Sequence, residues 1–200
     1  MITIAKNIER LSDRLRRLER QYERSAASVK LLAVSKRHSV ESIIAANEAG
    51  IVDFGENYLQ EALDKIQHFS SMHLNWHFIG PIQSNKTKAI AENFQWVHSI
   101  DRFKIAQRLS DQRESSTAKL NVCVQIKLCD ETNKSGVELS KAEALCDSVD
   151  ALPNLKLRGL MAIPAAVPDL ESQRRTFRVL AREYARLKPR YAQFDKLSMG

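Results

Sequence analysis

The sequence predicts an α/β fold carried on a parallel sheet, on three observations. Short apolar runs alternate with stretches of helical periodicity along most of the chain. Several of these runs are continuously apolar, as strands buried on both faces require. A long amphipathic segment precedes the first run and stands outside the repeat.

That leading segment carries Ile4, Ile8, Leu11, Leu15, Leu18 and Tyr22 at steps of three and four, which gives one apolar helical stripe. Residues 1–28 are read as an N-terminal helix packed on the body of the fold. Leu31–Val34 is the first strand. Val40, Ile43 and Ile44 then give helical spacing, and Gly50 sits where a helix C-cap is expected. Val52–Gly55 is the second strand, and Leu59, Leu63 and Ile66 mark the next helix. Trp76–Gly80 is the third strand, followed by a helix over Lys86–Phe94. Trp96–Ile100 is the fourth, with Asp101 as N-cap of a helix bearing Ile105 and Leu109. Val122–Ile126 is the fifth, followed by a helix from Glu138 to Ala151. Leu155–Ile163 contains the sixth, ended by Pro164. Phe177, Leu180, Tyr184 and Leu187 line one face of the last helix, Pro189 lies just beyond it, and Phe194–Met199 is the seventh strand.

Such alternation fits either an open doubly wound sheet or a (β/α)8 barrel, joined by right-handed crossovers. A barrel takes one strand more and typically about 250 residues. Neither GxGxxG nor GxxxxGK[ST] occurs, so the usual nucleotide-binding forms of the open sheet have no support.

Composition narrows the function classes. The chain is 200 residues long, 44% hydrophobic and 28% charged, an ordinary globular balance. No apolar stretch approaches the roughly 20 residues of a membrane helix, and the N-terminus has no apolar core of a signal peptide. The three cysteines, Cys123, Cys129 and Cys146, form no CxxC pair; a reduced cytoplasmic compartment is the simplest setting. The net charge of +7 would suit an anionic partner. Yet the arginines of the first helix alternate with Glu9, Asp13, Glu19 and Glu23, as on a solvated helix face.

In α/β barrels chemistry sits where strands end. Lys36 closes the run LLAVS. Its charge is costly there unless used, and a desolvated lysine is the nucleophile that imine chemistry needs. A lysine whose stem snorkels out of a strand end fits the same position. His77 and His98 lie in apolar runs and read equally as hydrogen-bonded core histidines. Asn57 is either a helix cap or a ligand contact. Gln83–Lys86 opens a helix whose free N–H groups suit an anion or ordinary capping. Met161 reads as core filler, and Lys134-Ser135-Gly136 as a loop.

At these residues the chain resembles the YggS/PROSC family of pyridoxal phosphate homeostasis proteins. The matching stretches are LLAVSK (Leu31–Lys36), FGENYLQEALDKI (Phe54–Ile66), WHFIGPIQSNKTK (Trp76–Lys88), HSID (His98–Asp101), NKSG (Asn133–Gly136), LRGLMAIP (Leu157–Pro164) and LSMG (Leu197–Gly200). They occur in family order over almost the whole chain. The resemblance implies one domain over residues 1–200, a TIM-type (β/α)8 barrel of the alanine racemase N-terminal domain kind with an extra N-terminal helix. It implies pyridoxal 5′-phosphate (PLP) held as a Schiff base on Lys36, with Asn57, His77 and Met161 lining the cofactor side and Ser198 in the motif that begins the phosphate-binding region. It further implies a role in vitamin B6 homeostasis, buffering or delivering the cofactor without a reaction of its own; a racemase-like enzyme is the alternative. The partners expected are PLP and PLP-dependent apo-enzymes, with no metal, membrane or nucleic acid, and the chain is expected to be a cytoplasmic monomer.

Two departures qualify this. The family text after the Schiff-base lysine is TKP or similar, where this chain has Arg37-His38-Ser39, so His38 replaces a second lysine. Family members also continue past LSMG into a further helix and a last strand. The expectation is therefore a barrel lacking its last strand, with two exposed edges, a depleted phosphate nest and weak cofactor retention.

Overall fold

The structure, a computed structural model, describes residues 3–128, 135–164 and 169–200. Cys129 and the Asn133–Lys134 half of the NKSG stretch lie outside the described residues. The chain divides into two compact units, one reaching to His77 and the other spanning Phe78–Gly200.

The first unit opens with helix α1 (Ile4–Gln21), started by Thr3, whose hydroxyl accepts from the Lys6 N–H. It ends at Gln21, earlier than the 1–28 span read from sequence. Strand β1 (Ala33–Val34), helix α2 (Val40–Glu48), strand β2 (Asp53–Glu56), helix α3 (Leu59–His68) and strand β3 (Asn75–Phe78) come next. β1, β2 and β3 stand in that order, β1 parallel to β2 through Ala33–Phe54 and Val34–Gly55. Gly50 follows α2 at φ +90°, a conformation that suits its lack of Cβ. α1 packs against α2.

The stripe of α1 is used only in part. Ile8 and Leu15 are half-buried, while Ile4, Leu11 and Leu18 remain exposed. The seam toward the body holds Glu19 instead, 3% exposed. Its carboxylate accepts from the Val29 N–H (2.7 Å), the Ala27 N–H (3.2 Å) and the Ser28 hydroxyl (3.3 Å), and pairs with Arg16. The helix is therefore rolled toward a polar clamp that ties down the turn leading to β1.

The second unit contains a 3₁₀ turn (Ser84–Lys86), α4 (Thr87–Asn93), β4 (Trp96–Ile100), α5 (Phe103–Gln112), β5 (Leu120–Lys127), β6 (Val137–Glu138), α6 (Ala142–Asp150), β7 (Leu155–Ala162), α7 (Leu170–Leu187) and β8 (Lys196–Met199). β4, β5, β7 and β8 are neighbours in that order, all parallel, and the short β6 pairs with the end of β5. Phe94, Ile100, Leu109, Leu120, Leu157 and Leu180 are fully buried where helices meet this sheet. α6 is tied toward the end of α7 by ion pairs of Glu143 with Arg186 and Arg190.

Two local readings are corrected. α5 starts at Phe103 with Arg102, not Asp101, at its N-cap, because both Asp101 carboxylate oxygens are taken at 2.9 Å by the Arg102 guanidinium. The last strand begins at Lys196; Phe194 is instead buried and stacks on Tyr184 at 5.5 Å.

Candidate functional site

In the first unit the local geometry begins at the end of β1. The Ser35 N–H donates to the Gly55 carbonyl at 3.0 Å, extending the ladder one residue. Ser35 is 4% exposed, and its hydroxyl donates to Glu56 Oε1 at 2.7 Å on the α3 side of the sheet. Lys36 follows in a turn closed by the His38 N–H, which donates to the Ser35 carbonyl at 3.0 Å. Along β2, Phe54 packs on Trp76 at 5.8 Å and Glu56 meets Lys65 of α3, so the alternating Asp53 and Gly55 point away from α3. Lys36 and Asn57 each lie two residues past the Val34–Gly55 pair.

Lys36 is half-buried, and among the described residues no hydrogen bond or ion pair engages its Nζ. Asn57 Oδ1 is buried without a hydrogen-bond partner, a costly state for an amide oxygen. His77 is 7% exposed, and its Nε2–H donates to Asp53 Oδ1 at 3.1 Å. That bond holds the Asp53 carboxyl below its usual range against partial burial, and the Asn75 amide adds a second bond at 3.0 Å. Lys36 and Asn57 thus follow the ends of the neighbouring strands β1 and β2, while His77, within β3, is a partnered histidine.

In the second unit Met161 and Ser198 are register partners on β7 and β8, and Gln125 of β5 is the register partner of Met161 on its other side. Met161 is 3% exposed. Ser198 Oγ lies 2.8 Å from His98 Nδ1. His98 sits beside the Trp96 ring at 5.8 Å, and the Arg158 guanidinium lies 4.9 Å above that ring. Arg158 also grips Asp195 through both carboxylate oxygens, at 2.8 and 2.7 Å. Partial burial opposes ionisation of Asp195, but the bonds from Arg158 and Lys196 prevail and hold its carboxyl at about 2.

Three groups around these positions are not among the site residues read from sequence. Asp53 supports His77, His98 supports Ser198, and Lys65 holds the Ser35 carbonyl that precedes Lys36. A strand-end polar residue was the available signal for His98, and the i,i+4 pair of Glu61 with Lys65 for the third; the burial of Lys65 was not visible in either.

The remaining candidates are structural. Cys123 and Cys146 are buried free thiols pushed up to about 12 by burial, unsuited to act as nucleophiles. A groove of about 770 Å³ is lined by Lys127, Leu128, Glu138, Leu139, Ser140, Glu183 and Arg186. None of Lys36, Asn57, His77, Met161 or Ser198 lines it, and its mixed charges favour no single ligand. No cluster of metal-ligating side chains and no helix long and apolar enough to cross a membrane occurs among the described residues.

Residues 6–200 match the family described as alanine racemase, N-terminal domain. The chain is 48% identical over its full length to a pyridoxal phosphate homeostasis protein of Vibrio alginolyticus, covering 88% of it, and 50% identical to one of Pseudomonas aeruginosa, covering 86%. PipY of Synechococcus elongatus, solved without PLP, superposes with a TM-score of 0.81 at 33% identity over 92% of this chain and 87% of that one. The same protein with PLP bound gives 0.79 at 32% identity over the same shares. Alanine racemase of Corynebacterium glutamicum, at 16% identity and a TM-score of 0.65, shares the fold over 96% of this chain and 53% of its own. By this family match and these full-length relatives, the chain belongs to the family of the pyridoxal phosphate homeostasis proteins, within the alanine racemase N-terminal domain group.

Proposed function

We propose that this protein binds PLP through Lys36 and serves vitamin B6 homeostasis as a carrier of the cofactor, with no reaction of its own. The observation that carries the reading lies just past the ends of the paired strands β1 and β2: a half-buried lysine whose amine has no partner among the described residues, and a buried Asn57 oxygen that also lacks one. An amine suits an aldehyde and an amide suits the polar substituents of a pyridine ring, so the residues present fit the group. PipY, 32% identical, was solved with PLP bound, which supports PLP as the ligand.

When bound, PLP supplies an aldehyde for attachment and an electron-withdrawing ring. The chain's own residues do the rest. Lys36 offers Nζ as the point of attachment. Asn57 orients the ring with its side-chain amide. His77, fixed by Asp53, presents an imidazole in one orientation. Met161 gives an apolar wall, and Ser198, fixed by His98, presents a hydroxyl suited to a phosphate oxygen.

The absence of catalysis is part of the proposal. It is supported by the relatives of 48% and 50% identity, which are named as homeostasis proteins. The chain is further proposed to be a single PLP-binding barrel domain over residues 1–200 with an N-terminal helix, read over 1–28, packed on the barrel, a cytoplasmic monomer, and to hand PLP to apo-enzymes that depend on it.

Titration of the purified protein with PLP, followed by visible absorption, tests the reading. A saturable band distinct from free PLP, lost in Lys36→Ala, is the expected result. A band that persists in Lys36→Ala overturns the attachment site, and alanine racemisation above that of free PLP overturns the non-catalytic role.

A further inference from the structure

The two peptide groups that flank Lys36 are both gripped by one buried ionic cluster. Lys65 of α3 is 6% exposed, and its Nζ donates to the Ser35 carbonyl (2.7 Å), Glu56 Oε1 (2.8 Å) and Glu61 Oε1 (2.7 Å). Its three donors are thereby all used. Glu61 Oε1 in turn accepts the Arg37 N–H at 2.5 Å, and Glu56 Oε1 accepts the Ser35 hydroxyl. The Ser35 carbonyl belongs to the peptide before Lys36 and the Arg37 N–H to the peptide after it. The orientation of these two planes defines φ and ψ of Lys36, and hence the direction of its Cα–Cβ bond. Arg37 comes next at φ +61°, a left-handed conformation that a non-glycine residue holds only when its surroundings impose it. Buried ion pairs contribute little net stability over apolar residues of equal volume, so folding alone is a poor account of this cluster.

We infer that Lys65 and Glu61 are positioning residues for Lys36, aiming its amine for attachment. The inference rests on the proposed PLP role of Lys36. In the step concerned, the Nζ lone pair attacks the aldehyde carbon, a nitrogen–carbon double bond forms, and the carbonyl oxygen leaves as water with the two protons of the amine. The cluster does not touch the reacting atoms; it sets where Nζ stands.

Glu61→Ala is the informative variant, because the Glu61 side chain is 29% exposed and Glu56 remains to balance Lys65. Two readouts are needed. Without cofactor, exchange of the Arg37 amide hydrogen should rise on the order of tenfold, as expected for loss of a charge-assisted bond, while amides of β5 and β7 stay as in the unmodified protein. With PLP, the rate at which borohydride-trappable modification of Lys36 accumulates should fall by on the order of tenfold. Glu61→Gln, which keeps an acceptor for the Arg37 N–H, should recover part of both. Unchanged trapping in Glu61→Ala overturns the inference, whether or not exchange rises. Absence of any Lys36 adduct in the unmodified protein overturns the PLP reading itself and with it this role. The two failures are told apart by that control.

Discussion

Gly159→Ala is expected to uncouple β8 from β7. Gly159 lies at φ +154° and pairs with Lys196, and a Cβ built there would fall 1.7 Å from the Lys196 carbonyl oxygen and 2.7 Å from its carbon. Real Cβ atoms do not approach heavy atoms closer than 3.0 Å, so the Lys196 backbone must retreat by about 1.3 Å, the shortfall against 3.0 Å. The neighbour is backbone held in a ladder, so no side-chain rotation relieves the clash. Overpacking costs roughly 1–3 kcal/mol and the sparsely populated backbone conformation roughly 1–3 kcal/mol more for a residue with a Cβ. The sum is a loss of about 2–6 kcal/mol, reaching from the upper part of the ordinary range into that of exceptional single substitutions. The displacement reaches Ser198, two residues along, and its 2.8 Å contact with His98. Urea unfolding measures the stability, and PLP titration the accompanying loss of affinity. A Gly159→Ala protein with wild-type midpoint and affinity would refute the reasoning, since it would show the strand pairing to be looser than the geometry requires.

Lys65→Met strands the Glu56 carboxylate, which is fully buried, with only the Ser35 hydroxyl to hold it. The expected cost is about 3–5 kcal/mol by urea unfolding, and Lys65→Met/Glu56→Leu should be less destabilised than the single variant; a single variant within about 1 kcal/mol of wild type, the worth of an exposed pair, would contradict the burial. Cys123 and Cys146 should resist alkylation at neutral pH until the chain unfolds, as thiols held at about 12 form almost no thiolate; peptide-resolved labelling of the native protein at either residue would count against this. Asp195 has a folded carboxyl at about 2 against roughly 3.9 unfolded. Its contribution is therefore present above the unfolded value and fades as pH falls toward the folded one. The stability gap between wild type and Asp195→Asn should be constant near neutrality and close on acidification over that window. A gap that does not narrow there would break the link to Arg158.

Much of the fold was legible because buried parallel strands leave continuous apolar runs, and Phe54, Val97, Val122 and Leu157 each lie in one. What escaped was set by partners rather than by local pattern. β6 is two residues long and exists through its pairing with Ile126 and Lys127. Asp101 has the chemistry of an N-cap, but its immediate neighbour Arg102 outcompetes the helix for it. The apolar stripe of α1 predicted a greasy contact, whereas Glu19 captured the turn after the helix and decided which face was buried. At the candidate site Lys36 was visible from its place at the end of an apolar run. Asp53 with His77, 24 residues apart, and His98 with Ser198, 100 apart, come together only through the sheet. The grip on the Ser35 carbonyl before Lys36 was hidden for the same reason, since Lys65 reaches Ser35 across 30 residues.

The central claim is that PLP attaches at Lys36, and reductive trapping tests it most directly. The protein is mixed with PLP, reduced with borohydride, digested and mapped by mass spectrometry. A pyridoxyl adduct concentrated on Lys36, absent from Lys36→Ala, is the predicted result. An adduct spread over surface lysines, or none above the level of the Lys36→Ala control, would contradict it.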